Sequence, residues 1–209
     1  MIRVIIVDDH PVVRRGLKQI ITAERDMQVV SEAENAREAI HVIQQTPCDA
    51  VVLDITLPDA SGLEVLNQLK RERPTLPVLI MSIHEEELYA LRVFKAGASG
   101  YLMKGSVPEE LIKAIRKIAT GGKYISPSLA ERLASELASP ETSSLHGKLS
   151  DREFQIMCLI ASGKSLKEIG NTLCISGKTV SSYRVRILEK MNMKTNADLT
   201  RYVLEHHLV

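Results

Sequence analysis

Short apolar, β-branched segments alternate with segments of helical period along the first 120 residues. The apolar segments lie at residues 2–9, 27–33, 49–54, 76–82 and 100–104. The helical segments lie between and after them, at about 11–23, 35–45, 62–72, 85–96 and 108–119. Near-continuous apolarity is typical of strands covered on both faces, and strand–helix alternation is typical of crossovers in a parallel sheet. The pattern predicts an α/β domain with a five-stranded, doubly wound parallel sheet.

The pattern changes after residue 120. Leu129, Leu133 and Leu137 recur every four residues and predict one short amphipathic helix. Residues 138–147 are rich in Pro, Ser, Thr and Gly, which is typical of a flexible linker. We therefore predict a first domain over residues 1–120 and a linker with a short helix over residues 121–147.

The last segment has the pattern of four helices without strands. Ser150 is followed three residues later by Glu153, and this capping box predicts the start of the first helix. Two further helices, at about 165–172 and 177–190, are separated by a short turn, as in a helix-turn-helix. Residues 148–209 are therefore predicted to form a small all-α, four-helix domain of the helix-turn-helix type.

Charge is distributed unevenly between the two predicted domains. Residues 148–209 carry 10 Lys or Arg and 6 Asp or Glu, whereas residues 1–147 carry 17 and 20. This asymmetry favours a polyanionic partner for the smaller domain only. No apolar run approaches the roughly 18 residues of a membrane span, and Cys48, Cys158 and Cys174 are interpreted as buried, reduced thiols. We expect a cytoplasmic protein that does not bind a membrane.

Polar side chains end four of the five predicted strands. Asp8 and Asp9 end the first strand, Asp54 the third, Ser82 the fourth and Lys104 the fifth. The carboxyl ends of the strands in such a sheet form one edge, where ligands bind. Any one acid alone could equally cap a helix or a loop, but the whole set is not expected by chance.

The acids at this edge predict a magnesium site. Clustered carboxylates cannot all stay ionised without a cation, and oxygen ligands without His or Cys favour Mg²⁺ beside phosphoryl oxygens. With Mg²⁺ bound, Asp54 could act as a nucleophile and form an acyl phosphate. Lys104 would pair with one phosphoryl oxygen, and the Ser82 hydroxyl would donate a hydrogen bond to another.

Four segments resemble the receiver domain of bacterial two-component response regulators: VDDHPVVRRGL, VVLDITLPDASGLEVL, IMSIHEEE and GASGYLMKGS. The resemblance covers about residues 1–120, in the family's order and spacing. It implies that Asp54 is the phospho-acceptor and that a cognate sensor histidine kinase supplies the phosphoryl group. The Mg²⁺ ligands that it implies are Asp8, Asp9, Asp54 and the backbone carbonyl of Thr56, with Asp9 the direct ligand of the acidic pair.

The same resemblance implies a switch. Phosphorylation adds roughly −1.5 to −2 charges, which would attract Ser82 and vacate space into which the ring of Tyr101 rotates. Tyr101 could equally be a half-buried strand residue with its hydroxyl in water. Thr56 and His84 occupy positions that tune the lifetime of the acyl phosphate in this family. Many receivers have Pro where this chain has Gly105, so a cis peptide bond is not assumed there.

The C-terminal segment LSDREFQIMCLIASGKSLKEIGNTLCISGKTVSSYRVRILEKMNM resembles a LuxR-type helix-turn-helix. Joined to a receiver, it resembles the NarL/FixJ class of regulators. Such domains bind double-stranded DNA as dimers, and the last helix, at about 195–206, is a reasonable dimer surface in this family. We expect a homodimer when the chain is phosphorylated.

Helical spacing separates the faces of the recognition helix. Val180, Ile187 and Met191 should pack inward with Leu188. The outward side chains then divide between short ones that can meet base edges and basic or polar ones that suit phosphate. The predicted base contacts are Ser181, Ser182 and Val185. The predicted phosphate contacts are Lys178, Arg184, Arg186, Tyr183 and Lys167, although a basic helix face can also be merely solvated.

These features predict a phosphorylation-controlled, DNA-binding transcription regulator. It would not be an enzyme, apart from its own phosphorylation and dephosphorylation at Asp54 with Mg²⁺. One alternative is a magnesium-dependent phosphohydrolase, but Thr56 stands where such an enzyme has a second acid, and no cap domain is present. A second alternative is an interaction module that is never phosphorylated and binds DNA constitutively, against which the complete set of acidic, hydroxyl and lysine residues argues.

Overall fold

The computed structural model describes residues 1–82, 86–126, 130, 145–206 and 208, without the side chains at 86–89 and 91. The chain divides into two compact units, Met1–Arg132 and Leu133–Val209. Three predicted features lie outside the described residues: the tuning residue His84, the helix around Leu133 and Leu137, and most of the linker. The domain boundaries at residues 120 and 147 stay predictions.

The first unit is built on a five-stranded parallel sheet in the order β2-β1-β3-β4-β5. The strands are β1 (Ile2–Val7), β2 (Met27–Ala33), β3 (Ala50–Asp54), β4 (Val78–Ser82) and β5 (Gly100–Met103). Every residue of β3 and β4 is buried, as expected for central strands covered on both faces. The predicted doubly wound sheet is confirmed, with each strand within about two residues of its expected limits.

Four helices connect the strands, and a fifth follows β5. They are α1 (Pro11–Thr22), α2 (Ala36–Gln45), α3 (Gly62–Glu72), α4 (Glu86–Lys95) and α5 (Pro108–Ala119). Pro11 and Pro108 occupy the first helical positions of α1 and α5, where their fixed φ suits the helix and no backbone donor is lost. Apolar side chains of α1 and α5 share a core with one face of the sheet, including Leu17, Ile21 and Ile115.

Over residues 145–206, the described part of the second unit contains a short 3₁₀ helix (Leu145–Lys148) and four α-helices. These are α6 (Asp151–Ala161), α7 (Leu166–Thr172), α8 (Gly177–Met191) and α9 (Asn196–Glu205). Ser150 and Glu153 form the predicted capping box of α6, and equivalent boxes begin α7 and α9. Such reciprocal caps satisfy backbone donors that the first helical turn leaves exposed. The four helices confirm the prediction of a four-helix domain.

The turn between α7 and α8 completes the helix-turn-helix. Cys174 lies in this turn with φ of 52°, a left-handed conformation, and its side chain is exposed. The prediction that all three cysteines are buried is therefore wrong for Cys174, because the reversal of the chain directs this side chain outward. Cys48 and Cys158 are buried as expected.

Among the described residues, no helix combines the length and apolarity needed to cross a bilayer.

Candidate functional site: an acidic pocket and a basic helix

The acidic side chains meet at the carboxyl edge of the sheet. Asp54 is the last residue of β3, and Asp8 directly follows β1, so the parallel register brings both carboxylates to one place. Asp8 is only 1% exposed and Asp54 only 2%. Lys104, just beyond β5, places Nζ 2.7 Å from Oδ2 of Asp8 and 2.7 Å from Oδ2 of Asp54. One ammonium group thus bridges two buried carboxylates.

Asp9 and His10 complete the acidic pocket. One ligand atom from each of Asp8, Asp9, His10 and Asp54 lies within 4.8 Å of all the others. The Oδ1 atom of Asp9 is shielded from solvent, and no donor in the described part of the chain meets it in hydrogen-bond geometry. The ring nitrogen Nδ1 of His10 nevertheless lies 2.6 Å from this oxygen. A buried carboxylate oxygen in this position is suited to accept a cation.

Burial and neighbouring charges act in opposite directions on Asp54 and Lys104 in the pocket. Desolvation raises the pKa of Asp54 from 3.8 to about 6, although the charge and hydrogen bond of Lys104 act in the opposite direction. Burial by itself lowers the pKa of the Lys104 ammonium, but Asp54 and Asp8 together outweigh it and raise the pKa overall. The lysine is therefore a fixed positive charge, and the carboxylates still have an excess of negative charge.

The donor set fits a hard divalent cation. Asp8, Asp9 and Asp54 carry up to three negative charges against the single positive charge of Lys104, and all three present oxygen atoms. Oxygen donors of this kind are typical of Mg²⁺ sites. His10 was not among the predicted ligands. Its ring is part of the cluster only because a ring nitrogen lies within 4.8 Å of the carboxylate oxygens.

The loop after Asp54 approaches the strand end closely. The Thr56 N–H donates a hydrogen bond to Oδ1 of Asp54 at 3.1 Å, and the Gly62 N–H donates to the Ile55 carbonyl at 2.9 Å. A Cβ atom at Gly62 would lie 2.1 Å from the Asp54 carbonyl oxygen, so only glycine allows α3 to begin this close to Asp54.

The two predicted switch residues are both buried. Ser82 ends β4, Tyr101 lies in β5, and each is 0% exposed. The alternative of a half-buried tyrosine with its hydroxyl in water is therefore wrong in this conformation. Gly105 has φ of 114°, a backbone conformation that proline cannot adopt because its ring holds φ near −65°.

Helix α8 separates its faces as predicted. Val180, Ile187, Met191 and Leu188 are buried, at 0%, 0%, 1% and 8% exposure. Two of the predicted DNA contacts on this helix, Tyr183 and Arg184, are partly exposed. The other five are exposed: Lys178, Ser181, Ser182, Val185 and Arg186. Lys167 is exposed on α7.

Family comparisons match both units. A model of the response regulator receiver domain matches residues 4–116. A model of bacterial regulatory proteins of the LuxR family matches residues 147–203. The chain belongs to the NarL/FixJ class of response regulators.

Individual response regulators resemble it over nearly its full length. GacA of Pseudomonas aeruginosa is 35% identical over 210 residues, which cover 100% of this chain and 98% of GacA. UvrY of Escherichia coli is 36% identical over 209 residues, which cover 100% of this chain and 96% of UvrY. The family assignment therefore extends to both units.

Solved structures of response regulators agree with the fold. A LuxR-family response regulator from Aurantimonas is 38% identical, with a TM-score of 0.62, and covers 66% of this chain and 99% of its own. RcsB of Salmonella typhimurium is 25% identical, with a TM-score of 0.59, and covers 97% of this chain and 98% of its own.

Two polar contacts in this response regulator were not anticipated from its sequence. Arg184 donates from Nε to Oδ1 of Asn196, the first residue of α9, at 2.5 Å. The carboxylate of Asp59 accepts hydrogen bonds from the first residues of α2. The Asp59 contacts span 23 and 22 residues and the Arg184 contact spans 12, so neither hydrophobic periodicity nor a local motif indicates them. Arg184 was expected to contact phosphate, and in this structure its Nε is engaged within the protein.

Proposed function

We propose that this response regulator accepts a phosphoryl group on Asp54 from a cognate sensor histidine kinase and thereby controls binding of its C-terminal unit to double-stranded DNA. The observation that carries the proposal is the position of Lys104 Nζ, 2.7 Å from carboxylate oxygens of both Asp54 and Asp8. A buried nucleophile beside a fixed cation and further oxygen ligands suits phosphoryl transfer. The location is proposed to be cytoplasmic, as expected from the sequence.

Phosphorylation requires Asp54 to act as a carboxylate. One of its oxygens attacks phosphorus, and the bond from phosphorus to the leaving nitrogen of the kinase histidine breaks. Asp8, Asp9, Asp54 and the backbone carbonyl of Thr56 would hold Mg²⁺, which neutralises charge on the transferred group. Lys104 then pairs with one phosphoryl oxygen instead of bridging two carboxylates.

Ser82 and Tyr101 are proposed to transmit the change. A new phosphoryl oxygen near β4 attracts the Ser82 hydroxyl, and Tyr101 on the adjacent strand changes rotamer as space opens beside it. Because both side chains are 0% exposed, neither can move without neighbouring atoms moving also. Coupling of a few kcal/mol is sufficient to shift a two-state population substantially.

Return to the unphosphorylated state needs water at the acyl phosphate. Thr56 lies two residues after Asp54 and is partly exposed, so its side chain can restrict access of water to the phosphoryl group. Thr56 and His84 are therefore proposed to set the lifetime of the phosphorylated form.

DNA binding is assigned to the exposed face of α8. Ser181, Ser182 and Val185 are proposed to meet base edges, and a set of basic and polar side chains is proposed to contact phosphates: Lys178, Arg184, Arg186, Tyr183 and Lys167. RcsB, a response regulator that is 25% identical to this chain, has been solved in a study of its conformational dynamism for DNA interaction. We also propose a homodimer in the phosphorylated state, because two-fold operators suit dimeric helix-turn-helix proteins.

The proposal is tested by DNA affinity under matched conditions. Full-length protein and its Asp54→Asn variant are incubated with acetyl phosphate and either Mg²⁺ or EDTA, and operator affinity is then measured by fluorescence anisotropy. The wild-type affinity should change only when Mg²⁺ is present, and the variant should not respond. A wild-type affinity that is equal under all conditions would support constitutive DNA binding instead.

A further inference from the structure

Asp59 joins the loop after the phospho-acceptor to the start of helix α2. Its Oδ1 atom accepts a hydrogen bond from the Ala36 N–H at 2.7 Å, and its Oδ2 atom accepts one from the Arg37 N–H at 3.1 Å. The two partners are 23 and 22 residues away in sequence. A carboxylate at a helix N-terminus is favoured by the exposed backbone donors and by the helix dipole.

Helix α2 has a cap of its own, so it does not depend on Asp59 to begin. The Asn35 side chain accepts a hydrogen bond from the Glu38 N–H at 2.9 Å, and the Asn35 carbonyl accepts one from the Ala39 N–H, also at 2.9 Å. Asp59 supplies acceptors for the two remaining donors of the first turn. The contact is therefore an additional connection between α2 and the acceptor loop.

The loop that Asp59 belongs to is tightly held at its base. Thr56 and Ser61 form an isolated antiparallel bridge, and the Gly62 N–H donates to the Ile55 carbonyl at 2.9 Å. Asp59 lies at the tip of this short hairpin-like loop. Its two hydrogen bonds with α2 restrain the tip, so the loop segment that contains Thr56 is held at both its base and its tip.

We propose that Asp59 is a positioning residue for the acidic pocket: by anchoring the 55–61 loop to α2, it holds the Thr56 carbonyl in place for Mg²⁺. This inference rests on the proposed function, in which that carbonyl is a metal ligand. Residues that orient metal ligands from outside the ligand set typically affect metal affinity by roughly 10- to 100-fold. Asp59 does not touch the metal or the phosphoryl group itself.

Asn35 offers a matched control because it caps the same helix through hydrogen bonds with Glu38 and Ala39, not with the acceptor loop. The full-length protein and the variants Asp59→Ala, Asp59→Asn and Asn35→Ala are compared. Mg²⁺ affinity is measured by isothermal titration calorimetry, and exchange of the Thr56 amide is measured by NMR in the metal-free protein. Thermal unfolding reports the loss of helix capping in each variant.

Asp59→Ala should weaken Mg²⁺ binding roughly 10-fold and accelerate exchange of the Thr56 amide. Asp59→Asn keeps one acceptor oxygen, so its Mg²⁺ affinity should lie between those of Asp59→Ala and the wild type. Asn35→Ala should lower Tm but leave both Mg²⁺ affinity and Thr56 exchange unchanged. If Asp59→Ala does not fold, the Mg²⁺ affinity and Thr56 amide exchange of Asp59→Asn are compared with those of the wild type instead.

Two outcomes would overturn the inference: wild-type Mg²⁺ affinity in the Asp59 variants, or an equal loss of affinity in Asn35→Ala. The second result would assign the effect to α2 stability alone. Failure of the proposed function is a different observation: the operator affinity of the wild-type protein would then not respond to acetyl phosphate with Mg²⁺, whatever the Mg²⁺ affinity of the Asp59 variants.

Discussion

Lys104 Nζ lies 2.7 Å from Oδ2 of Asp54, and both side chains are largely withdrawn from solvent. The same nitrogen is 2.7 Å from Oδ2 of Asp8. This ammonium group is therefore the main charge that makes two buried carboxylates tolerable in the metal-free protein. A divalent cation and a phosphoryl group would change the contacts of Lys104 with Asp54 and Asp8. A change of charge in the pocket would therefore change the positions of these side chains.

Lys104→Ala should destabilise the metal-free receiver unit by about 3 kcal/mol or more, because it leaves two buried carboxylates without their cation. Mg²⁺ should restore part of this loss, since it supplies positive charge to the same oxygens. Urea unfolding of the full-length protein, with EDTA and with Mg²⁺, measures both effects.

Lys18→Ala is the control for this measurement. Lys18 pairs with Glu32 at 2.7 Å, but its side chain is 53% exposed, and exposed ion pairs contribute little. The unfolding free energy of the Lys18→Ala protein should be close to that of the wild type and should depend on Mg²⁺ no more than the wild type does. A Lys104→Ala protein as stable as the Lys18→Ala protein in EDTA would contradict the electrostatic account of the pocket.

The ion pair between Arg3 and Asp49 predicts a dependence of stability on pH. Arg3 donates from Nε and Nη2 to the two carboxylate oxygens of Asp49, at 3.0 and 2.8 Å. The hydrogen bonds from Arg3 lower the pKa of Asp49 from 3.8 to about 2. Because the folded-state value is the lower one, this stabilisation is present above pH 3.8 and is lost as the pH falls towards 2.

Asp49→Asn should therefore lower the unfolding free energy more at pH 6 than at pH 3. The comparison uses chemical unfolding of wild type and variant at both pH values. An equal difference at the two pH values would show that the pair is not formed as a charged pair in the folded protein.

The proposed phosphate contacts of α8 predict a defined salt dependence of DNA binding. Lys178→Ala should reduce the slope of log K against log salt by about one unit on every DNA sequence, because one fewer counterion is released. Lys18 is a basic control in the first unit, with a side chain that is 53% exposed, and Lys18→Ala should leave the slope unchanged. Equal slopes for wild type and Lys178→Ala would remove Lys178 from the phosphate contacts.

The sequence was sufficient to predict the sheet and the residues at its edge. Apolar runs ending in Asp54, Ser82 and Lys104 carry this information because parallel strands place their carboxyl ends together. The helix caps at Ser150 and Glu153 were equally visible, since a capping box is a local motif.

The contacts that the sequence did not reveal are long-range and polar. Asp59 reaches α2 from a loop, and Arg184 reaches Asn196 at the start of another helix. Neither contact repeats with a helical or strand period, so only the folded chain brings the partners together. Cys174 differs for a local reason: a single left-handed residue in the helix-turn-helix turn exposes a side chain with apolar neighbours in sequence.

The most direct test of the central claim is chemical trapping of the acyl phosphate. Full-length protein is incubated with acetyl phosphate and Mg²⁺, reduced with borohydride and analysed by peptide mass spectrometry. Reduction converts an aspartyl phosphate to homoserine, so the account predicts homoserine at position 54, and none when EDTA replaces Mg²⁺. Homoserine at another aspartate, or none at position 54 with Mg²⁺ present, would contradict it.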